Sequence, residues 1–162
     1  MATFEFSESA NVPSPPKVVY SIIADYVNGH PQILPKKYFR KMSVEAGGYG
    51  EGTRVRFEMR LLGRTHLLRA AITEPQPGSV LVETDMDTGT VTTFRVDGES
   101  GSCGSRVTFH TRMTVPGFSG WLQQWLVPRL LRPIYQEELR NLADFSQHYA
   151  PSRPPADITT PR

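Results

Sequence analysis

Four histidines and one cysteine are the residues of this chain whose types most readily support metal binding, nucleophilic attack or proton transfer. They are His30, His66, His110, His148 and Cys103. No two of the histidines have the spacing of zinc ligands on one element, and the cysteine has no partner nearby. We therefore expect no metal site, and no motif indicates a cofactor, since the segment GGYGEG lacks the Lys-Ser/Thr pair of a phosphate-binding loop.

His66 is the histidine best placed for acid–base chemistry. Alternation in RTHLLRAAI puts it on one face with Leu68, Ala70 and Ile72. An imidazole that faces an apolar interior could orient a ligand or move a proton near neutral pH. The plainer interpretation is a hydrogen-bonded structural histidine at the margin of a sheet.

Glu83 and Arg95 are two further candidates for polar chemistry. If Val80 and Val82 point inward, Glu83 points outward, and an inward Phe94 leaves Arg95 outside as well. The pattern therefore favours a cross-strand pair on the surface. A β-bulge would exchange the two faces and make the pair a polar anchor in a pocket, where burial would shift both pKa values.

The segments that position these residues change their hydrophobic period along the chain. At the N-terminus, Phe4 and Phe6 alternate with polar residues and predict a strand that ends near Ser7, because Glu8 falls on the apolar face. PSPPKVVYSIIADYV predicts a helix capped by Ser14. NGHPQILPKK leaves room for one short helical turn.

From about residue 37 to residue 115 the period is two, which predicts six successive antiparallel strands separated by turns. Val55 and Phe57 share one face while Arg54 and Arg56 share the other, so one face of the sheet is expected to be buried. Helical spacing then returns and continues to about residue 149. The order predicts an α+β domain over residues 1–149, followed by a disordered proline-rich tail over residues 150–162.

The composition excludes several classes of protein. A net charge of +2 with scattered basic residues argues against nucleic-acid binding. No run of about 18 apolar residues is present, so we expect no membrane span. The single cysteine rules out an internal disulfide and suits a reducing compartment, and the start MATFEFSESANV does not resemble a signal peptide. We therefore expect a cytoplasmic protein.

The order of elements resembles the START-like superfamily, and specifically its polyketide cyclase/dehydrase and lipid-transport branch, the SRPBCC group. The resembling segments are SPPKVVYSIIADYVNGHP, VEAGGYGEGTRVRF, TVTTFRVDG and the long terminal helix. The resemblance implies a helix-grip fold, in which a curved seven-stranded antiparallel sheet wraps around the C-terminal helix and two short helices follow the first strand. It also implies a deep apolar cavity, but no shared catalytic residues.

A cavity between such a sheet and a single helix would be lined by inward-facing residues of both. For each of these residues taken singly, ordinary core packing is the favoured interpretation, and the cavity prediction rests on the whole set and on the resemblance. The predicted lining comprises Tyr38, Met42, Phe57, Met59, His66, Leu68, Phe94, Phe109, Met113, Trp121, Trp125, Leu131 and Tyr135.

The segment GWLQQWLVPRLLRPIYQEELRNLADF raises a separate question, because Pro128 and Pro133 interrupt its helical spacing. Each proline lacks an N–H and is expected to bend or break the helix. The uncharged run before Arg129 is too short for a membrane span. We predict that the part carrying Trp121 and Trp125 is bent over the cavity entrance, the alternative being an ordinary kinked core helix.

Three functions are consistent with these patterns. The first is binding of a small apolar ligand such as a lipid or polyketide by a carrier or sensor, which the absence of a catalytic constellation favours. The second is a polyketide cyclase or dehydratase, for which His66 and Arg95 are the candidate catalytic residues. The third is regulatory binding of a protein partner or a second copy of the chain.

Overall fold

A seven-stranded antiparallel sheet in the order β1-β7-β6-β5-β4-β3-β2 forms the framework of the protein. The computed structural model describes residues 2–115 and 120–150. The elements are β1 (Ala2–Val12), α1 (Pro16–Ala24), α2 (His30–Ile33), β2 (Phe39–Ala46), β3 (Arg54–Leu61), β4 (Arg64–Gln76), β5 (Val80–Asp85), β6 (Val91–Gly98), β7 (Ser105–Val115) and α3 (Gly120–Ser146). This is the predicted α+β helix-grip architecture, with two short helices after the first strand and one long helix at the end.

Alternating burial along the strands divides the sheet into a dry face and a wet face. In β3, Val55 and Phe57 are buried while Arg54 and Arg56 are exposed, as predicted. The dry face packs against α3 and holds most of the core. Residues from β1, α1 and the second half of α3 complete it, so the sheet and the helix bury each other's apolar sides.

The first strand is longer than predicted. It pairs with β7 over its whole length, from Ala2 opposite Val115 to Val12 opposite Ser105. Glu8 does not end the strand, because its carboxylate accepts a 2.7 Å hydrogen bond from Nε of Arg132 on α3. A charged side chain on the apolar face is tolerated when it is paired in this way.

Helix α1 lacks the side-chain cap predicted from the sequence. Pro15 occupies the N-cap position without a side-chain hydrogen bond. The Ser14 hydroxyl lies 2.8 Å from that of Ser146, so it joins the start of α1 to the end of α3 rather than capping a helix. The prediction for Ser14 was wrong because a tertiary partner competes for the same hydroxyl.

The glycine-rich β2–β3 connection is fastened to the end of α1. The N–H of Tyr26 donates to the Gly48 carbonyl, and the N–H of Gly50 donates to the Ala24 carbonyl, both at 2.9 Å. Gly50 has a φ of 58°, and a Cβ there would lie 2.3 Å from the Glu74 carboxylate, so the position requires glycine. Tyr49 pairs with Asp25 in an isolated bridge. This connection therefore fixes the backbone that carries Tyr26.

Helix α3 continues through both prolines, since its helical backbone extends from Gly120 to Ser146. The possible break at Pro128 or Pro133 does not occur. In its second half Tyr135, Leu139 and Leu142 are buried and form an apolar stripe. Among the described residues, no helix combines the length and apolar character that a membrane crossing needs. The predicted tail falls, apart from residue 150, outside the described residues.

Candidate functional site

A cavity of about 320 Å³ lies between the dry face of the sheet and α3. Strands β2 to β7 contribute walls, and α2 and α3 close the remaining sides. Its apolar lining consists of Leu34, Phe39, Phe57, Met59, Leu61, Leu68, Ala70, Phe94, Met113, Leu131 and Ile134. Its polar lining consists of His30, His66, Glu83, Asp85, Thr88, Thr90, Thr92, Thr111, Tyr135 and Glu138.

Eight of the residues predicted to line a cavity lie on this one. They are Phe57, Met59, His66, Leu68, Phe94, Met113, Leu131 and Tyr135. Phe109 lies behind the wall, fully buried, with its ring 4.8 Å from that of Phe94. Tyr38 and Met42 pack against the core without lining the cavity.

Phe39 lines the cavity where Tyr38 was expected. Phe39 pairs with Met59, and Lys41 pairs with Glu58, so the register shifts between residues 39 and 41. Such a bulge breaks the alternation that placed Tyr38 and Met42 on one face. Sequence periodicity alone carries no sign of this extra residue.

The two tryptophans of α3 do not form a described part of the cavity wall. Trp125 is 52% exposed, and the Arg129 guanidinium stacks over its indole ring at 4.1 Å. The side chain of Trp121 lies outside the described residues. That this segment lies bent over the cavity entrance therefore stays a prediction. Of its two tryptophan side chains, only the exposed one of Trp125 is described.

Glu83 points into the cavity, contrary to the expectation from the sequence. In β5 the inward residues are Leu81, Glu83 and Asp85. Leu81 pairs with Phe94 and Glu83 pairs with Thr92, so they lie on the same face of the sheet as these residues of β6. The expected orientation was wrong because the run VLV is apolar on both faces, and both Val80 and Leu81 are buried. The choice of phase therefore had no support within β5 itself.

Arg95 lies on the opposite face of the sheet. It pairs with Val80 across β5 and β6, and its side chain is 49% exposed at 4.0 Å from the Asp97 carboxylate. Its outward orientation agrees with the simpler prediction. Glu83 pairs with Thr92 rather than with Arg95, so the two candidates form no cross-strand pair.

Tyr26, His30 and Glu83 form a connected cluster at the inner end of the cavity. The Tyr26 hydroxyl donates a 2.6 Å hydrogen bond to Oε1 of Glu83. The His30 ring stacks on the Tyr26 ring with centroids 4.5 Å apart, and its Nε2 lies 3.7 Å from the same carboxylate oxygen. Burial, followed by the charge of Glu83, raises the pKa of Tyr26 well above its usual value, so the hydroxyl remains a donor.

The protonation of His30 Nδ1 follows from its partner. This nitrogen lies 2.8 Å from the carbonyl oxygen of Ile23, which can only accept a hydrogen bond. Nδ1 therefore carries the proton. The other ring nitrogen, Nε2, is then the one that faces the Glu83 carboxylate.

Glu138 enters the same inner end from α3. It is 4% exposed and has no hydrogen-bond or ion-pair partner among the described residues. Burial, with the nearby charge of Glu83 as a second cause, raises the pKa of Glu138 well above its ordinary value. A buried carboxyl in this state holds its proton at pH values where an exposed glutamate is ionised.

A row of hydroxyls continues from this cluster along the cavity wall. The Thr92 and Thr111 hydroxyls are 3.0 Å apart, and the Thr111 hydroxyl is also hydrogen-bonded to that of Tyr135. Burial raises the pKa of Tyr135 to about 12. The row stays neutral at physiological pH and offers donors and acceptors that a ligand can share.

The outer end of the cavity is more exposed. His66 and Thr88 are exposed there. Asp85 accepts hydrogen bonds from the backbone N–H groups of Asp87 and Thr88 at 2.9 and 2.8 Å. His66 thus lies at the margin of the sheet yet lines the cavity. No cluster of three or more potential metal ligands occurs in the described ranges.

Sequence reasoning missed Tyr26, His30 and Glu138. His30 belongs to a one-turn helix whose pattern is too short to assign a face. Glu138 had a visible signal, because it follows Tyr135 by three residues and precedes Leu142 by four, which puts a carboxyl inside the apolar stripe of α3.

The fold and the sequence both have relatives among known proteins. The family model for polyketide cyclase / dehydrase and lipid transport matches residues 3–146. No curated protein sequence matches the chain. The KanY protein (ms6282) has 24% identity and a TM-score of 0.77, covering 91% of this chain and 99% of that one.

Two further structures share the fold at lower identity. A START superfamily protein from Mycobacterium smegmatis has 12% identity and a TM-score of 0.67, covering 89% of this chain and 97% of its own. The Zhui aromatase/cyclase from Streptomyces sp. R1128 has 12% identity and a TM-score of 0.74, covering 91% and 95%. The expected START-like fold is confirmed, and the chain belongs to the polyketide cyclase / dehydrase and lipid transport family.

Proposed function

We propose that this protein binds a small, mainly apolar molecule in the cavity between the sheet and α3, as a carrier or sensor. The observation that carries the proposal is the cavity itself: about 320 Å³ of space remains in the interior and is walled mostly by apolar side chains. Small-molecule sites typically have volumes from about 300 to 1,000 Å³.

Apolar walls supply the driving force for such binding. Protein interiors are otherwise close-packed, and wall atoms beside a void lack contacts on one side. A ligand restores those contacts and removes its own surface from water, which contributes about 25 cal/mol for each Å² of apolar area. The polar inner end then selects among ligands of similar size.

A neutral fluorescent probe, N-phenyl-1-naphthylamine, tests the proposal. We expect saturable binding with a blue-shifted emission, reversed by lipid-like competitors. Met59→Trp should weaken it at least about tenfold, because Met59 lines the cavity and the larger indole occupies it. Met86→Trp places the same indole at an exposed position outside the lining and should leave binding unchanged. Lack of saturable binding, or equal loss in both variants, would contradict the proposal.

A cyclase or dehydratase activity is the second candidate, and the cluster of Tyr26, His30 and Glu83 favours it. Glu83 would take a proton from a carbon between two carbonyls, and that carbon would attack a third carbonyl of the same chain. The alkoxide formed there would take up that proton and become a hydroxyl. This hydroxyl would leave as water with the second proton of the attacking carbon, so no co-reactant is needed. The Zhui aromatase/cyclase has the same fold at 12% identity, and this likeness supports the fold alone.

Turnover of a synthetic poly-β-ketone separates the two candidates. Cyclisation above the uncatalysed rate that is lost in Glu83→Gln would establish the enzyme. Unchanged rates in His66→Ala would remove His66 from the mechanism.

A cytoplasmic location and a protein or homodimer partner stay predictions of the sequence, and co-purification from the native cell tests the partner.

A further inference from the structure

The cavity wall has more acidic than basic side chains. Three carboxyl groups line it, from Glu83, Asp85 and Glu138, together with two histidines. No lysine or arginine contributes to the wall among the described residues. A cavity with several carboxylates and low-dielectric walls concentrates a negative potential and favours cations over anions.

Two of these carboxyls already have partners. Glu83 accepts from the Tyr26 hydroxyl and lies beside His30, and Asp85 accepts from two backbone N–H groups. Glu138 is the exception, since it is almost completely buried, lines the cavity and has no partner among the described residues. A buried polar group without a partner is rare in proteins and requires an explanation.

The surroundings of Glu138 explain what kind of partner is missing. The ionisable groups near it are Glu83, Tyr26 and Tyr135, and His30 lies 3.7 Å from the Glu83 carboxylate. The two tyrosines have raised pKa values and stay neutral, so Glu83 is the adjacent negative charge. Burial and this charge raise the pKa of Glu138, and a positive group beside both carboxyls would reverse the effect.

We propose that the ligand carries a basic amine on an apolar body, and that Glu138 is the residue that anchors it. This inference rests on the proposed ligand-binding function of the same cavity. The ammonium would donate to Glu138 and lie in the field of Glu83, while the apolar body fills the space beside Met59, Leu68 and Leu131. A ligand with a hydroxyl or a carbonyl would instead accept a hydrogen bond from protonated Glu138 and would leave that proton in place.

The test compares two probes that differ only in their polar end. These are 4-phenylbutylamine and 4-phenylbutan-1-ol, each displacing N-phenyl-1-naphthylamine from the wild-type protein. We expect the amine to bind at least about tenfold more tightly than the alcohol, as hydrogen bonds between charged groups exceed neutral ones. Calorimetry in two buffers of different ionisation enthalpy should show that the amine releases about one proton and the alcohol none, since Glu138 loses its proton when the ammonium binds.

Variants assign the effect to one residue. Glu138→Gln should remove the preference for the amine and leave alcohol binding within about twofold. Glu137→Gln makes the same change at the neighbouring position, which does not line the cavity, and should keep the preference. The wild-type comparison needs no variant, so it decides the question even if Glu138→Gln fails to fold.

Each other outcome has a distinct meaning. Equal or tighter binding of the alcohol overturns the amine inference and leaves the ligand-binding function intact. An amine preference that survives in Glu138→Gln overturns the role of Glu138. Failure of the fluorescent probe to bind at all overturns the proposed function itself.

Discussion

The two ends of the cavity contain similar side chains in opposite environments. The inner end holds the buried His30 and Glu138 with the partly buried Glu83, whereas the outer end holds the exposed His66 and Thr88 with the partly buried Asp85. Polar groups at the outer end are stabilised by water. At the inner end each must be stabilised by a protein partner or by a ligand, because burial without either is unfavourable. We therefore expect the inner end to supply the polar contacts to a ligand.

The largest expected effect separates the two histidines. His30→Ala should lower the free energy of unfolding by about 3 kcal/mol, since it removes a fully buried ring, its stacking on Tyr26 and its hydrogen bond to the Ile23 carbonyl. His66→Ala should change it by less than about 0.5 kcal/mol. Urea unfolding of both variants measures this. Similar losses would mean that the two ends do not differ in burial.

The next effect is the pH dependence of stability. The folded-state pKa of Glu138 lies above its unfolded value, so its proton stabilises the fold below about pH 4.5 and this contribution is lost as the pH rises. From about pH 5 upward, the wild-type unfolding free energy should fall relative to Glu138→Gln by about 1.4 kcal/mol per pH unit until the folded-state pKa is reached. Parallel pH profiles for wild type, Glu138→Gln and the control Glu137→Gln would contradict the raised pKa.

The sequence predicted those parts of the molecule where one strong pattern was present. Strand β3 alternates without ambiguity, and Phe57 and Met59 lie where the pattern puts them. Glu83 was misplaced because VLV permits either phase, and only its pairing with β6 decides between them. Tyr38 was misplaced by a bulge, which alternation does not reveal.

The inner end was the least predictable region, for a physical reason. Tyr26 and His30 come from short segments that acquire their positions from tertiary contacts, including the docking of the β2–β3 connection at Gly48 and Gly50. Glu138 was predictable in principle, because it interrupts an apolar stripe. A polar residue in such a stripe is therefore a better indicator of a site than a histidine on an exposed strand end.

The smallest expected effect concerns the hydroxyl of Tyr26. Tyr26→Phe removes the donor to Glu83 and should lower the free energy of unfolding by about 1 kcal/mol. Tyr38→Phe is the matched control, since Tyr38 is partly exposed and its hydroxyl has no hydrogen bond among the described residues. Chemical denaturation compares the two. Equal changes would show that the hydrogen bond at the inner end does not contribute to stability.

The most direct test of ligand binding in this cavity is the location of a bound probe. Intermolecular NOEs from isotope-labelled protein to unlabelled N-phenyl-1-naphthylamine report which side chains it touches. We expect NOEs to the methyl groups of Met59, Leu68 and Leu131, which line the cavity from β3, β4 and α3. NOEs confined to the surface hollow beside Lys36 and Phe145, on the other side of α3, would contradict it.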